Sequence, residues 1–460
     1  MNRQPILLPC MILYYSPGKK PFLAGPPEEN KPTIREITDD EARILTLCQG
    51  EITLTDIAAK LNMDQTQVKS TSDKFSKEPD LFLQFIEDTE KHPSPTPHME
   101  IAMEILSERD SAHEFIDNTG LLHEYHTGQI TDAIEQFESH ETTISHVYQQ
   151  PHPALRGLSY GARLAEKFCE MEIMEKCTNI LEIGGGTGFV ARDFLGYLHQ
   201  NQSIVFQNLY YVLLELSPVL LEGQKEYTRM YSNTIAQVLG DALAPPFIAG
   251  KFSLIIANEM IADLPSVFVK KEWMNRNTGH EIPAEAIPAL KYINDFDVTV
   301  KDAFPEFLVN LGAWQLLEHI HLLLTPGGFA LITEYGSPWR YPVAVHLPDH
   351  TEYAIHFGHL EEIAIRIGFD VRLEKMADFF DMDLDVTTLE RMSLTILNQS
   401  LLSHLSQDPL PILAFTPEML KQALGDLYPH IYNLRFSSLK QAGSQGSPSV
   451  FHALILRKKP

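Results

Sequence analysis

The sequence predicts an α/β protein: a doubly wound, seven-stranded, mostly parallel sheet, preceded by a small winged-helix-like α+β domain and interrupted by helical insertions. Three observations lead there. Beyond Pro151, apolar strand runs alternate with helical patterns, as a parallel sheet with crossover helices requires. The first of those strands, at 179–183, runs straight into a glycine turn and then a helix. The first 90 residues carry their own strand and helix signals ahead of a proline-rich stretch.

In order along the chain, 11–15, 21–24 and 33–37 read as three short strands broken by Pro and Gly turns. Three helices follow. Thr38 with Glu41 forms a capping-box pattern, Thr53 with Asp56 a second, and Asp64 is an N-cap with Gln67 three residues on. Gly50 should end the first helix and Asn62 the second. The segment 92–98 (HPSPTPH) should be an extended, stiff linker. From 99 to about 146 the pattern is polar and helical. The expected domains are therefore 1–90, a linking segment 91–150, and a catalytic domain 151–460 with a helical insertion at about 380–435.

The glycine turn carries the chemistry. Residues 179–188 read NILEIGGGTG, with Gly184, Gly186 and Gly188 in G-x-G-x-G spacing and Gly185 between them. A dinucleotide fingerprint needs glycine at 189, which is Phe. The loop therefore fits S-adenosyl-L-methionine (SAM) better than NAD. Residues without Cβ let backbone approach a ligand, and the helix N-terminus offers N–H groups to the methionine carboxylate. Glu182 precedes the turn, placed for the amino group or for organising the loop.

The remaining strands should be 209–214, 237–239, 252–257, 329–333, 370–376 and 450–456, the last antiparallel; 305–324 reads as a helix. Ligands in such sheets bind beyond the carboxyl ends of the strands. Glu215, followed by Leu216, ends the second strand, where a carboxylate accepts ribose hydroxyls. Asp241 and Ala242 follow the third, near an adenine edge. Asn258, Glu259 and Asp263 follow the fourth, and Glu334 ends the fifth.

Composition narrows the function. The net charge of -25 leaves no basic face for nucleic acid. Residues 1–90 hold 10 Lys and Arg against 15 Asp and Glu, which disfavours a DNA-binding winged helix. No apolar run reaches the length of a membrane span, and the N-terminus makes a poor signal peptide. Four cysteines without a CxxC pair suit reduced thiols in a cytoplasm. Among the 19 histidines no metal-binding spacing stands out.

The stretches LEIGGGTG (181–188), LLELSPVLLEGQ (213–224), NEMIADLP (258–265) and ALITEYG (330–336) resemble the MidA-like class I SAM-dependent methyltransferases, over roughly 150–375. Mitochondrial members of that family methylate an arginine of a respiratory-complex subunit. Three departures stand out: Ala262 where the family has Asp, Glu334 where it has D-Y-G, and a divergent 350–357. The N-terminal region is similar to PqqD-like domains, which bind leader peptides of ribosomally made natural products. Together the resemblances imply methylation of a peptide or protein nitrogen, an arginine or amide side chain, with S-adenosyl-L-homocysteine as product. Asn258, Glu259, Asp263 and Glu334 would hold the acceptor's N–H groups. Two alternatives stay open. One is a small-molecule O- or N-methyltransferase whose N-terminal domain makes a homodimer, with a general base among His350, His356 and His359. The other is a non-catalytic assembly factor that retains the fold.

Overall fold

Seven strands lie side by side in the eight-stranded central sheet: β1 (Asn179–Ile183), β2 (Tyr210–Glu215), β3 (Ile235–Leu239), β4 (Phe252–Asn258), β5 (Leu324–Ser337), β6 (Phe369–Lys375) and β7 (Phe451–Lys458); the eighth, Ile355–His356, pairs parallel with the end of β5. Their spatial order is β3-β2-β1-β4-β5-β7-β6, with β7 antiparallel to both neighbours and the other pairings parallel. The order reverses between β1 and β4, the point where open α/β sheets bind ligands. The computed structural model describes residues 4–8, 11–28, 31–77, 80–81, 83–86, 123–137, 142–274, 282–347 and 350–460. The linker expected at 92–98, and the helices expected between 99 and 122, lie outside the described residues.

The chain divides into two units. The second comprises Phe115–Leu384 and Pro448–Pro460 and holds the sheet. Alternate strand residues Leu181, Ile183, Ile255, Ala257, Ala330, Ile332, Leu454 and Leu456 share one core with Trp314 and Leu317 of helix Leu311–Leu323 and with Leu360 and Ile363 of helix Phe357–Ile367. That alternation is the two-residue period of a strand facing a helical layer. In β4, every residue from Leu254 to Asn258 is buried, as expected of a strand covered on both faces. The expected helix at 305–324 is shorter. Glu306–Val309 is a strand paired antiparallel with Val267–Lys270, and the helix begins at Leu311. Phe307 and Val309 point to the core while Glu306 does not, a period of two that overrides the helical reading.

The first unit comprises Met1–Glu114 and Asp385–Ser447. Its sheet orders Ile431–Tyr432, Ile12–Tyr14, Phe22–Glu28 and Lys31–Glu36, all antiparallel. The capping boxes at Thr38–Glu41 and Thr53–Asp56 both form, Asp64 accepts the Thr66 N–H, and Asn62 ends its helix in the left-handed conformation. The first helix stops at Thr46, before Gly50. Leu13 and Leu23 face a core with Ile44, Leu45, Ile57, Val68 and Phe75. Ile12, Tyr14, Phe22 and Ala24 face the other way, onto Leu394, Leu397, Leu413 and Leu420. The segment expected as an insertion of the catalytic domain at 380–435 thus contributes to this unit instead. A sheet with two apolar faces must bury both, and residues 389–431 cover the second.

Candidate active site

Beyond the end of β1, Gly184 and Gly186 take left-handed conformations with φ of 66° and 52°. A Cβ on Gly184 would come within 2.7 Å of the Met260 side chain, and one on Gly186 within 2.9 Å of the Phe137 ring. Gly188 occupies the N-cap of helix Phe189–Asn201, where no side chain can cap the first turn. The N–H groups at that end, with the partial positive charge of the helix, suit an anionic group.

Two carboxylates flank the turn. Glu182, 1% exposed, accepts the Tyr211 hydroxyl at 2.6 Å, and burial pushes its carboxyl up to about 7 against that bond. Glu215 takes the Leu216 and Ser217 N–H groups at 2.9 and 3.0 Å on one oxygen and the Gln224 amide at 3.1 Å on the other. Burial pushes it, too, up to about 7. Gln224 also donates to the Gly186 carbonyl, so one side chain ties the turn to the end of β2. Asp241 caps its own loop by accepting the Leu243 N–H at 2.7 Å.

A cavity opens over these groups, beyond the carboxyl ends of the strands. Glu182, Gly184, Gly185, Gly186, Glu215, Leu216, Asp241 and Ala242 line it, as do Asn258, Glu259 and Asp263. Gly188 does not, since its place is the helix cap.

The polar residues of β4, of the loop after it and of β5 have separate duties. Asn258 is spent on structure: its Oδ1 accepts from Tyr160 at 2.6 Å and Thr333 at 2.7 Å, and its amide donates to Ser145. Glu259, in a left-handed conformation with φ of 50°, accepts the main-chain N–H groups of Ile144 and Ser145 at 2.6 and 2.9 Å. Burial pushes its carboxyl up to about 7 despite those bonds. Both of its oxygens hold the start of helix Ile144–Val147, while the residue lines the cavity. Glu334 is absent from the cavity lining. It accepts the Tyr335 and Ala262 N–H groups, and burial, with Glu352 and Glu259 nearby, raises its carboxyl well above the usual range. Its two oxygens are thus engaged by main chain inside the fold.

Asp263 remains. Its Oδ1 lies 3.7 Å from His126 Nε2 and 3.5 Å from His350 Nε2. Burial would raise this carboxyl, but the two rings pull it below the usual carboxylate range. Asp263 Oδ1 and His126 Nε2 are buried without a hydrogen-bond partner, and both residues line the cavity. Of the three histidines weighed as bases, His356 and His359 stack on each other at 3.6 Å, away from the cavity, and burial lowers both, His359 to about 3. Sequence reasoning missed His126, Phe137, Ser145 and His146, all from the segment before the sheet and all lining the cavity. Nothing in their local pattern marks them; they reach the site through tertiary contacts such as the Glu259 bonds.

Residues 161–351 match the family model described as "Putative S-adenosyl-L-methionine-dependent methyltransferase". No curated protein matches the sequence. Among solved structures, a COG1565 superfamily member from Burkholderia thailandensis, bound to S-adenosyl-homocysteine, is 13% identical over 80% of this chain and 95% of its own, with a TM-score of 0.41. A native structure from the same organism and superfamily gives 15% identity, the same coverage and a TM-score of 0.39. A TehB-like SAM-dependent methyltransferase from Corynebacterium glutamicum gives 18% identity over 48% of this chain and 79% of its own, with a TM-score of 0.26. The assignment rests on the family match and on the site. The residues present fit SAM: an uncapped helix start for the carboxylate, Glu182 for the amino group, Glu215 and Asp241 for the nucleoside, and glycines where a side chain would crowd the turn. The chain is a SAM-dependent methyltransferase of the α/β class, with this cavity as its candidate active site.

Proposed function

We propose that the enzyme methylates an O–H or N–H acceptor whose proton passes to His126, with Asp263 as the charge partner of that ring. The observation that carries this reading is the buried pair itself: His126 Nε2 and Asp263 Oδ1 are 3.7 Å apart at the cavity wall and neither has a hydrogen-bond partner. Bound SAM supplies an electrophilic methyl group on a sulfonium sulfur. An acceptor methylated there must give up its O–H or N–H proton, and that proton needs a destination. An imidazole beside a carboxylate is a group suited to take it. Phe137 and Ile130 add apolar surface to the same cavity wall.

The guanidinium cradle implied by the family resemblance has less support. It calls for several carboxylates, yet Glu259 and Glu334 each already accept two main-chain N–H groups, and Glu334 does not line the cavity. Capture of a peptide by the first unit remains a second reading. Among the described residues, its sheet has no strand beyond Lys31–Glu36, an edge suited to strand addition, while the Ile12–Tyr14 side is paired with Ile431–Tyr432.

The test is His126→Ala and His126→Gln against a panel of phenol, carboxylic acid, amine and peptide acceptors. Turnover should fall about 10²–10⁴-fold, the usual worth of a positioned proton acceptor, while SAM affinity by calorimetry stays close to wild type. Unchanged turnover in both variants removes the assignment. An acceptor accepted only as a peptide, with a KM that rises when Lys31–Glu36 is broken by proline, would favour the second reading.

A further inference from the structure

Asp263 also belongs to a second group of side chains, whose other members, His350 and Glu352, do not line the cavity. Asp263 Oδ1, His350 Nε2 and Glu352 Oε1 all lie within 4.8 Å of one another. His350 Nε2 is 3.5 Å from Asp263 and 3.4 Å from Glu352. The side chains of His350 and Glu352 are only 4% and 8% exposed.

Those distances are long for the 2.7–2.9 Å of a charge-assisted N–H···O bond, and one ring N–H cannot point at both carboxylates. They match a different geometry. Ligands about 2.0–2.2 Å from a tetrahedral ion stand roughly 3.3–3.6 Å apart. A second observation points the same way: Asp263 Oδ1 is buried with no hydrogen-bond partner, so the atom central to the group is unsatisfied. The surroundings supply the outer contacts that hold metal ligands in place. Glu352 Oε2 accepts the Tyr335 hydroxyl at 3.0 Å, and the His350 ring stacks on Tyr125 at 4.3 Å.

We infer that Asp263, His350 and Glu352 bind one divalent transition-metal ion of the zinc class. One imidazole nitrogen and two carboxylate oxygens form a borderline donor set, suited to zinc or cobalt more than to magnesium or calcium. The ion ties the loop after β4, which carries Asp263, to the strand pair Ala344–His346 and Thr351–Tyr353, which flank and carry the other two ligands. It thereby fixes Asp263 at the cavity wall. His126, on the cavity side of Asp263, is outside the ligand set and keeps the role proposed above.

The test uses the full-length enzyme stripped with a chelator. Cobalt(II) titration should give stoichiometric binding with the intense visible bands of a low-coordinate site. Zinc should compete the bands away and raise the melting temperature. Glu352→Gln and His350→Ala should each weaken cobalt binding by more than the ~100-fold that loss of an outer partner costs, and Tyr335→Phe by about 10–100-fold. His126→Ala should bind cobalt as wild type does. Absence of cobalt binding by folded wild-type protein, judged by circular dichroism and retained SAM binding, overturns the inference. So does binding that survives in both ligand variants. Either result leaves the His126 assignment untouched, since that is read from turnover of His126 variants.

Discussion

The Glu259 carboxylate and the Ile144 main-chain N–H meet at 2.6 Å across 115 residues of sequence. This bond sets the near wall of the active site, because Thr143, Ser145 and His146 line the cavity from the segment it holds. In Glu259→Gln the amide can accept one of the two N–H groups and must turn its own donors toward the other. The expected result is a loss of about 1.5–3 kcal/mol in stability, the range for bonds to a charged group, measured by urea unfolding. SAM affinity should fall together with turnover, since the wall serves both. Retained SAM affinity with lost turnover would show instead that Glu259 works on the acceptor.

Gly186→Arg should abolish SAM binding in calorimetry. Its φ of 52° is one a side chain rarely adopts, and the Phe137 ring stands 2.9 Å from where a Cβ would be. Gly186→Ala should bind weakly and lose about 1–3 kcal/mol, the cost of a residue held in that region. A folded Gly186→Arg protein with wild-type affinity would refute the placement of the cofactor.

SAM affinity should rise with pH. Burial holds Glu182 protonated up to about 7 in the free enzyme, and its ionised form is what attracts an amino cation. As pH climbs from about 6 to 8 the carboxyl ionises and Kd should fall, with proton release seen by calorimetry in buffers of different ionisation enthalpy. Glu182→Gln should bind more weakly and lose the pH dependence. The stability linkage runs the other way. A folded-state pKa above the ordinary 4.5 gives stability that is full below about 4.5 and is lost as pH rises through about 7. The cofactor-free enzyme should therefore gain stability in Glu182→Gln at pH 8.

Arg163 is fully buried and donates to the Phe380 carbonyl, Glu166, Glu170 and Asp381. Arg163→Ala leaves that carbonyl without a donor and opens a void beneath helix Tyr160–Glu170. A loss of about 2–5 kcal/mol is expected in chemical unfolding. Arg163→Lys should recover only part of it, since an ammonium cannot span the same acceptors.

The parallel core was legible because its signals are local. The strand-turn-helix unit at 179–188, the strand-end acids and the capping residues of the first 75 residues each depend on neighbours in sequence. The fifth strand, expected to end at Glu334, runs on to Ser337, and the Glu334 side chain is buried; a strand pattern alone does not say which way such a residue faces. His126 was invisible for the opposite reason. It sits on a single π-helical turn, Tyr125–Gln129, with no periodic pattern to distinguish it, and meets Asp263 only in the fold. The partition of residues 385–447 was hidden in the same way. Helix Arg391–His404 reads the same from sequence whichever sheet it covers.

The division of the first unit between both ends of the chain bears on how the protein is made. Asn433 donates to the Leu8 carbonyl at 2.9 Å from a position 425 residues away. At about 5–20 residues per second, a ribosome needs roughly 20–85 s to bridge that interval. For that time Ile12, Tyr14, Phe22 and Ala24 have no Leu394, Leu397 or Leu420 to lie against, and strand Ile12–Tyr14 has an unpaired edge. Until the segment from Leu389 to Ile431 is made, that apolar face lies uncovered, and any shortened product ending before residue 385 would lack the residues that bury it.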